Sequence, residues 1–187
     1  PDYEAPTDAG ADNVYNVTVQ VSDGSLTSTQ AIAVTVTPVN DNTPTITSAA
    51  TANVAENTTA VLTVTATDAD LPAQTLSYSI VGGADAAKFS INSSTGALSF
   101  VTAQDYEAPT DAGADNVYNV TVQVSDGSLT STQAIAVTVT PVNDNTPAIT
   151  SSATANVAEN TTAVLTVTAT DADLPAQTLS YSIVGGA

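Results

Sequence analysis

The chain has 187 residues, of which 19 are acidic and one, Lys88, is basic, so its formal net charge at pH 7 is −18. This charge excludes nucleic-acid phosphates as a partner and disfavours anionic membrane surfaces. Cysteine is absent, so neither disulfides nor thiolate metal sites hold the fold. No apolar run approaches the roughly 18 residues that a membrane span requires, and we expect no membrane insertion of this segment.

An internal repeat organises the chain. Residues 1–84 align with residues 104–187 at a constant offset, and only three pairs differ. Segments 37–44 and 140–147 mark the same point in each copy, with two prolines around Asn, Asp and Asn. Proline fixes its own φ and keeps the preceding residue out of the helical region, so each segment is expected to be an extended, stiff joint. This frame predicts the C-terminal part of one repeat at 1–42, a complete repeat at 43–145, and the N-terminal part of the next at 146–187.

Neither flank reaches half the length of a repeat, so neither is expected to bury a full core by itself. We interpret the chain as a window from a longer repetitive protein. The alternative is that flanks of neighbouring chains complete one another, as in domain swapping.

Alternation of apolar and polar residues predicts seven short strands in the complete repeat. In chain order they lie at 46–54, 60–67, 76–80, 89–91, 98–100, 118–124 and 135–139, and the first can be broken in two. Turn residues at 92–96 and 126–128 separate neighbouring strands, and 84–87 allows one helical turn at most. The fold class that follows is all-β, a tandem array of seven-stranded antiparallel Greek-key sandwiches of the immunoglobulin-like kind.

Acidic residues gather at the predicted strand ends. In an up-and-down arrangement, the ends of strands one, five and seven meet the next unit at one pole, whereas Asp68, Asp70 and Asp126 lie at the opposite pole. Carboxylates brought together in this way repel one another unless cations neutralise them. Because the candidate ligands offer oxygen and neither nitrogen nor sulfur, Ca²⁺ is favoured over Zn²⁺. The acids and amide expected at the first pole are Glu56, Asp105, Glu107, Asn143 and Asp144, facing Asp171 and Asp173 of the next unit.

Short motifs, taken in their order and spacing, resemble a cadherin domain across essentially the whole repeat. They are Val54-Ala55-Glu56-Asn57, Ala66-Thr67-Asp68-Ala69-Asp70, Leu76-Ser77-Tyr78-Ser79-Ile80, Phe89-Ser90-Ile91, Thr95-Gly96-Ala97-Leu98, Asp105-Tyr106-Glu107, Val122-Gln123-Val124-Ser125-Asp126-Gly127 and Val142-Asn143-Asp144-Asn145-Thr146-Pro147. The resemblance implies a seven-stranded sandwich and about three Ca²⁺ ions at each interdomain joint.

Carried over by position, the resemblance assigns ligands at both joints. At the joint after Asn145 they are Glu56, Asp105, Glu107, Val142 through its carbonyl, Asn143, Asp144, Asn145, Asp171 and Asp173. At the earlier joint they are Asp2, Glu4, Asn40, Asp41, Asn42, Asp68, Asp70 and Asp126. Each joint lacks one side chain in this sequence: a glutamate ahead of Pro1 at the earlier joint, and a counterpart of Asp126 beyond Ala187 at the later one.

The sequence departs from the family pattern in three places. Pro38 and Pro141 stand where the linker usually opens with Asp. The loop 108–117 is longer than in animal cadherins and resembles bacterial cadherin-like repeats. The Trp used for strand exchange has no counterpart, so homophilic adhesion by that route is not implied.

These features predict a Ca²⁺-rigidified repeat segment of a long extracellular adhesin stalk or surface filament. Its expected partners are neighbouring repeats of the same chain and other copies in a multi-chain fibre. The alternative is a carbohydrate- or protein-binding module of a cell-surface protein. An enzyme is not predicted, because His, Cys, a Gly-rich phosphate loop and a nucleophile elbow are absent. Asp85, Asp111 and Asp115 are interpreted as ordinary solvated carboxylates, although the last two could hold a further ion.

Overall fold

A computed structural model describes residues 1–186, and nearly all of its regular structure is β, which confirms the predicted fold class. The first flank contains β1 (Val14–Ser22) and β2 (Thr27–Thr35). The central repeat contains β3 (Thr45–Ile46), β4 (Thr51–Ala55), β5 (Ala60–Thr63), β6 (Ala66–Thr67), β7 (Ser77–Gly82), β8 (Phe89–Ile91), β9 (Ala97–Phe100), β10 (Val117–Ser125) and β11 (Thr130–Thr140), with a 3-10 turn at Ala86–Lys88. The last flank contains β12 (Ala148–Ile149) and β13 (Ala169–Thr170).

Two sheets make up the central sandwich. One has the strand order β4-β11-β10-β7 and the other β5-β9-β8. The first predicted strand is broken, as anticipated: β3 pairs with β6, and the chain then crosses to place β4 beside β11. That β4–β11 pair is parallel, so the prediction of a purely antiparallel sandwich is wrong at this edge. The strand arrives at β11 by a crossover between sheets rather than through a hairpin, which frees it from the antiparallel direction.

The core lies between these sheets and follows from alternation along β10 and β11. Tyr118 stands opposite Val137 and Val120 opposite Ile135, and all four are buried. Phe100 connects the sheets, since its ring lies 4.7 Å from that of Phe89 and 5.2 Å, edge-on, from that of Tyr118. Both distances fall in the favourable range for aromatic pairs.

The first flank shows the same local pairing without the same burial. β1 and β2 form a hairpin whose register matches that of β10 and β11. Yet Val19 is 45% exposed, whereas its counterpart Val122 is 0% exposed. Hairpin register is set locally, but burial of its apolar face requires partner strands.

Most strands expected in the last flank are absent among the described residues. Only β12 and β13 pair, over two residues each. Two of the strands missing from this flank correspond to β4 and β7, which pair with β11 and β10 in the central repeat, and residues 146–186 contain no copy of β10 or β11.

The interpretation of Asp85 and Asp111 as solvated carboxylates is wrong. Asp85 is 5% exposed and accepts hydrogen bonds from the backbone N–H groups of Ala112 (2.7 Å) and Asn119 (2.8 Å). Asp111 accepts three backbone N–H groups inside its own loop. Burial raises the pKa of Asp111, but these donors outweigh it and hold the pKa below its ordinary value. Both carboxylates organise the loop 108–117.

No helix among residues 1–186 has the length and apolar character to cross a membrane.

Candidate metal centre

Strand ends bring carboxylates together at both poles of the central repeat. Within the described part of the chain, three groups form in which one carboxylate oxygen of each member lies within 4.8 Å of the others. They are Glu4 with Asp41 and Asp70, Glu56 with Glu107 and Asp144, and Asp68 with Asp70 and Asp126. All of these residues are among the predicted ligands, so the sequence placed the acids at the correct poles.

Glu56 connects three segments at the later joint through its hydrogen bonds. It follows β4 and is only 2% exposed. One carboxylate oxygen, Oε1, accepts a hydrogen bond from the backbone N–H of Val142 (2.6 Å), and Oε2 accepts one from that of Tyr106 (2.8 Å). The end of β4, the linker and the 105–107 segment are therefore held around one carboxylate.

Contacts between consecutive units cross the same joint. Glu107 accepts a hydrogen bond from the backbone N–H of Leu174 at 2.8 Å. Asp173 accepts one from the backbone N–H of Asn145 at 3.0 Å and another from its side chain at 2.9 Å. The linker thus donates hydrogen bonds to a carboxylate of the following unit. An acid of the preceding unit in turn accepts a hydrogen bond from the backbone of the following unit.

The earlier joint repeats this geometry because it repeats the sequence. Glu4 accepts from the backbone N–H of Leu71 at 3.0 Å, and Asp70 accepts from the side chain of Asn42 at 2.7 Å. The Asn42 side-chain hydrogen bond is the main reason that the pKa of Asp70 is lowered. Burial, followed by the charges of Asp70 and Glu4, raises the pKa of Asp41. One pKa in this cluster is lowered and another is raised because the carboxylates are crowded and only some of them have hydrogen-bond donors.

These shifts act on stability in opposite directions. Ionised Asp70 stabilises the fold above about pH 4, and this contribution is lost as the pH falls through its lowered pKa. Ionised Asp41 opposes folding, first because it loses solvation and then because its like-charged neighbours repel it; this loss of stability begins as the pH rises above the ordinary Asp pKa and is complete above the raised one. At neutral pH the cluster is therefore under repulsion that a bound cation would relieve.

The group of Asp68, Asp70 and Asp126 lies beside the side-chain amide of Asn40. Asp126 accepts backbone hydrogen bonds from Ser128 and Leu129, both at 2.7 Å, and these outweigh burial, so its pKa is lowered. One end of the Asn40 amide lies 3.3 Å from Asp70 Oδ2 and 3.2 Å from Asp126 Oδ2. With nitrogen at that end, Asn40 donates to both carboxylates. With oxygen there, it adds a third oxygen ligand to the two carboxylates.

Two buried carboxylate oxygens at the joints have no hydrogen-bond donor among residues 1–186. They are Oδ2 of Asp68 and Oδ2 of Asp173. Burying a charged acceptor without a partner is costly. Lone oxygens of this kind, beside clusters of further oxygens, fit the ligand chemistry of Ca²⁺.

Four predicted acids stay outside the groups: Asp173, whose contacts are given above, and Asp2, Asp105 and Asp171. Asp2, Asp105 and Asp171 each accept a hydrogen bond from the backbone N–H two residues later, at 3.0, 3.0 and 3.1 Å. This Asx-turn role shapes the segment that carries the next acid. Asn143, the remaining linker amide, donates to Gln177 of the following unit at 3.0 Å.

Two polar residues of the site were missed from the sequence. Gln177 is the partner of Asn143. Asn57 follows Glu56 with a φ of +61° and donates its side-chain N–H to Asp144. The signal for Asn57 was its place in the Val-Ala-Glu-Asn motif, since Asn tolerates the left-handed region that this turn requires. Gln177 had no comparable signal.

An all-β sandwich with acidic clusters at the places where consecutive units meet defines a class of tandem modules. Residues 50–140 match the Cadherin domain family model. Protocadherin Fat 1 of Homo sapiens is 34% identical over 200 residues, which cover 98% of this chain and 4% of that protein. Protocadherin Fat 4 of Mus musculus is 37% identical over 175 residues, covering 86% and 3%. The chain belongs to the cadherin family.

Solved structures agree with the sequence comparison. Extracellular cadherin domains 3–6 of Protocadherin Gamma B2 superpose with a TM-score of 0.63 at 29% identity, covering 89% of this chain and 44% of that chain. Mouse Cadherin-23 EC22–24 gives 0.61 at 29% identity, with 92% and 56% covered. Cadherin domains are adhesion-type repeats rather than enzymes. The chain spans only a small part of the curated relatives that it matches.

Proposed function

We propose that this chain is a Ca²⁺-rigidified spacer of a long extracellular adhesin stalk or surface filament. The observation that carries the proposal is the gathering of carboxylates at both joints, where Glu4 and Asp41 of one unit meet Asp70 of the following unit, and Glu56, Glu107 and Asp144 meet beside the last flank. Backbone hydrogen bonds, such as Leu174 to Glu107, already define how the units meet. Divalent ions between the acids would turn that contact into a stiff one.

Calcium fits the donor set better than other metals. The clusters contain carboxylate and amide oxygens, and the chain has no His or Cys to offer nitrogen or sulfur. About three ions per joint is the number that family resemblance implies. The groups that would hold them are the seventeen predicted ligands, with Glu56, Asp70, Asp126 and Asp173 as the buried acids among them. The ions would supply charge neutralisation and a rigid link.

The spacer role is supported by near-identity of the copies. Identical units stacked end to end give length, whereas a recognition module needs a distinctive surface. We place the protein at the bacterial cell surface because the loop 108–117 resembles bacterial cadherin-like repeats. The expected partners are neighbouring repeats and other copies within a fibre.

A pair of matched aspartates tests the metal role. Asp126 belongs to a carboxylate group, whereas its counterpart Asp23 belongs to none among residues 1–186. We expect Ca²⁺ at 100 times its Kd to stabilise the parent chain by about 2.7 kcal/mol. Asp126→Ala should lose much of that gain, and Asp23→Ala should keep it. The measurement is thermal unfolding of dilute protein with excess Ca²⁺ and with chelator.

Two results would contradict the proposal. One is a parent chain whose melting temperature is the same in Ca²⁺ and in chelator. The other is an equal loss of the Ca²⁺ effect in both aspartate variants, which would point to nonspecific screening of the negative charge rather than to a site.

A further inference from the structure

The first asparagine of each linker carries a side-chain amide whose two ends differ in chemistry. The nitrogen donates hydrogen bonds and repels a cation, whereas the oxygen accepts hydrogen bonds and can bind one. These asparagines are Asn40 at the earlier joint and its sequence counterpart Asn143 at the later one. Each can act as a metal ligand through its side chain only when its oxygen faces the carboxylates, so the orientation of the amide matters.

At the earlier joint, one end of the Asn40 amide lies between two carboxylates. It is 3.3 Å from Asp70 Oδ2 and 3.2 Å from Asp126 Oδ2. In the absence of a cation, nitrogen is the favoured end at this place, because it donates to both carboxylates, whereas oxygen would face only acceptors. The amide then stabilises the two acids and turns no ligand oxygen toward them.

At the later joint, the nitrogen of the corresponding amide has a different partner. Asn143 Nδ2 donates to Oε1 of Gln177, which belongs to the following unit, at 3.0 Å. Asp173 is the sequence counterpart of Asp70, and its Oδ2 is buried without a donor among residues 1–186. An amide whose nitrogen is held by a neutral acceptor leaves its oxygen free to face another group, which is what a metal ligand requires.

The earlier joint contains the same glutamine. Gln74 is the sequence counterpart of Gln177, within the identical segments 68–82 and 171–185. Its oxygen Oε1 is buried and accepts no hydrogen bond within the described part of the chain. A buried acceptor without a donor is destabilising. In the orientation that Asn143 adopts, the nitrogen of Asn40 would supply that donor, so the two joints correspond to the two orientations of one amide.

We propose that Gln74 and Gln177 are positioning residues for the linker asparagines at the calcium sites, an inference that rests on the proposed function. Each glutamine accepts the hydrogen bond of the asparagine nitrogen and thereby holds the asparagine oxygen toward the acids. In the cation-free chain, Asn40 donates to Asp70 and Asp126 instead. The two states differ by half a rotation about χ2 of the asparagine, a torsion with a broad, roughly two-fold preference.

The acids around Asn40 fit a bound cation. Asp68, Asp70 and Asp126 each place one carboxylate oxygen within 4.8 Å of the others. Oδ2 of Asp68 is buried without a donor among residues 1–186. An amide oxygen would add a neutral ligand to these acids, and Ca²⁺ takes mixed sets of carboxylate and amide oxygens. Hydrogen-bond partners that orient a metal ligand typically contribute about 10- to 100-fold to metal affinity.

A calcium titration of the full chain tests the inference, followed by NMR of the asparagine side-chain amides and the aspartate carboxylates. In the parent, we expect the Asn40 amide to shift with Ca²⁺ and to show a nuclear Overhauser contact with Gln74 only when Ca²⁺ is present. Gln74→Met keeps a long, flexible side chain but removes the amide acceptor. It should weaken Ca²⁺ binding at the earlier joint by roughly tenfold or more.

Three controls separate orientation of the amide from general loosening of the joint. Gln74→Glu keeps an acceptor and should retain the calcium-dependent contact with Asn40 and an affinity at least equal to that of the parent. Gln177→Met should weaken binding at the later joint and leave the Asn40 resonances unchanged. In chelator, Gln74→Met should melt like the parent, because Gln74 Oε1 accepts no hydrogen bond within residues 1–186. A merely structural role would lower that melting temperature.

Gln74→Met that binds Ca²⁺ at the earlier joint as tightly as the parent overturns the inference. So does a parent chain in which the carboxylates of Asp68, Asp70 and Asp126 respond to Ca²⁺ while the Asn40 amide keeps its nitrogen toward them. Neither result counts against the calcium sites themselves. Carboxylates that stay unchanged at millimolar Ca²⁺ overturn the proposed function and the inference with it, so the two failures are distinguishable.

Discussion

Replacing Tyr118 by alanine should lower the free energy of unfolding by about 3 to 5 kcal/mol, the range for removing a large aromatic side chain from a core. Tyr118 is 0% exposed, and its ring packs edge-on against Phe100. The surrounding strands cannot collapse into the space, because Val120 and Val137 are fixed by the β10–β11 register. The measurement is chemical unfolding of the parent and the variant by urea.

The chain provides its own control in Tyr15. Its hydroxyl accepts a hydrogen bond from the backbone N–H of Thr7 at 3.2 Å, just as that of Tyr118 accepts one from Thr110 at 3.1 Å. Tyr15 differs in being only half-buried. Tyr15→Ala should therefore cost much less, and the difference isolates core packing from the local hydrogen bond. Equal losses would show that the central core is not where the structure places it.

Replacing Glu56 by alanine should cost roughly 3 kcal/mol or more even in chelator. The change removes two hydrogen bonds to a charged acceptor and leaves the backbone N–H groups of Val142 and Tyr106 without it. Hydrogen bonds to charged groups contribute about 1.5 to 3 kcal/mol each. The linker and the 105–107 segment should both loosen, which hydrogen exchange of these two amides would detect alongside urea unfolding.

Glu159 is the matched position. It has the same neighbours in sequence as Glu56 but is exposed. Glu159→Ala in dilute protein should leave stability within about 0.5 kcal/mol of the parent, as for most surface substitutions. Faster hydrogen exchange at Val142 and Tyr106 in Glu159→Ala would be inconsistent with the hydrogen bonds described for Glu56. Unchanged exchange at these amides in Glu56→Ala would also be inconsistent with them.

The strands were predictable because alternation is a local signal. Along β10, Tyr118, Val120, Val122 and Val124 repeat with a period of two, and burial follows that period. The parallel pairing of β4 with β11 was not predictable from this signal. It depends on the crossover of the chain between β3 and β4, and it pairs residues more than 80 positions apart in sequence. Alternation specifies which face of a strand is buried but not which strand lies beside it.

The poles of the acidic site were predictable because strand direction fixes where each end falls. Glu56, Glu107 and Asp144 come from three distant segments and meet as expected. Their role as metal ligands stays a prediction. The burial of Asp85 was not predictable, because its donors are Ala112 and Asn119, which the folded loop brings to it.

The same sequence is exposed in the first flank and buried in the central repeat. Val19 and Val122 have the same neighbours, the same strand pairing and opposite exposure. Burial here is a property of the completed sheet pair rather than of the segment. The flanks were predicted to lack a core of their own because each is less than half a repeat, and the exposure of Val19 agrees with that prediction.

The central claim is that acids of consecutive units share divalent cations at the joints. The most direct measurement is an anomalous difference map from crystals of the full chain grown in Ca²⁺. We predict ions within about 2.3 to 2.6 Å of oxygens of Glu56, Glu107 and Asp144 at one joint, and of Glu4, Asp41 and Asp70, which come from two units, at the other. Maps with only water bonded to these carboxylates at saturating Ca²⁺ would contradict it.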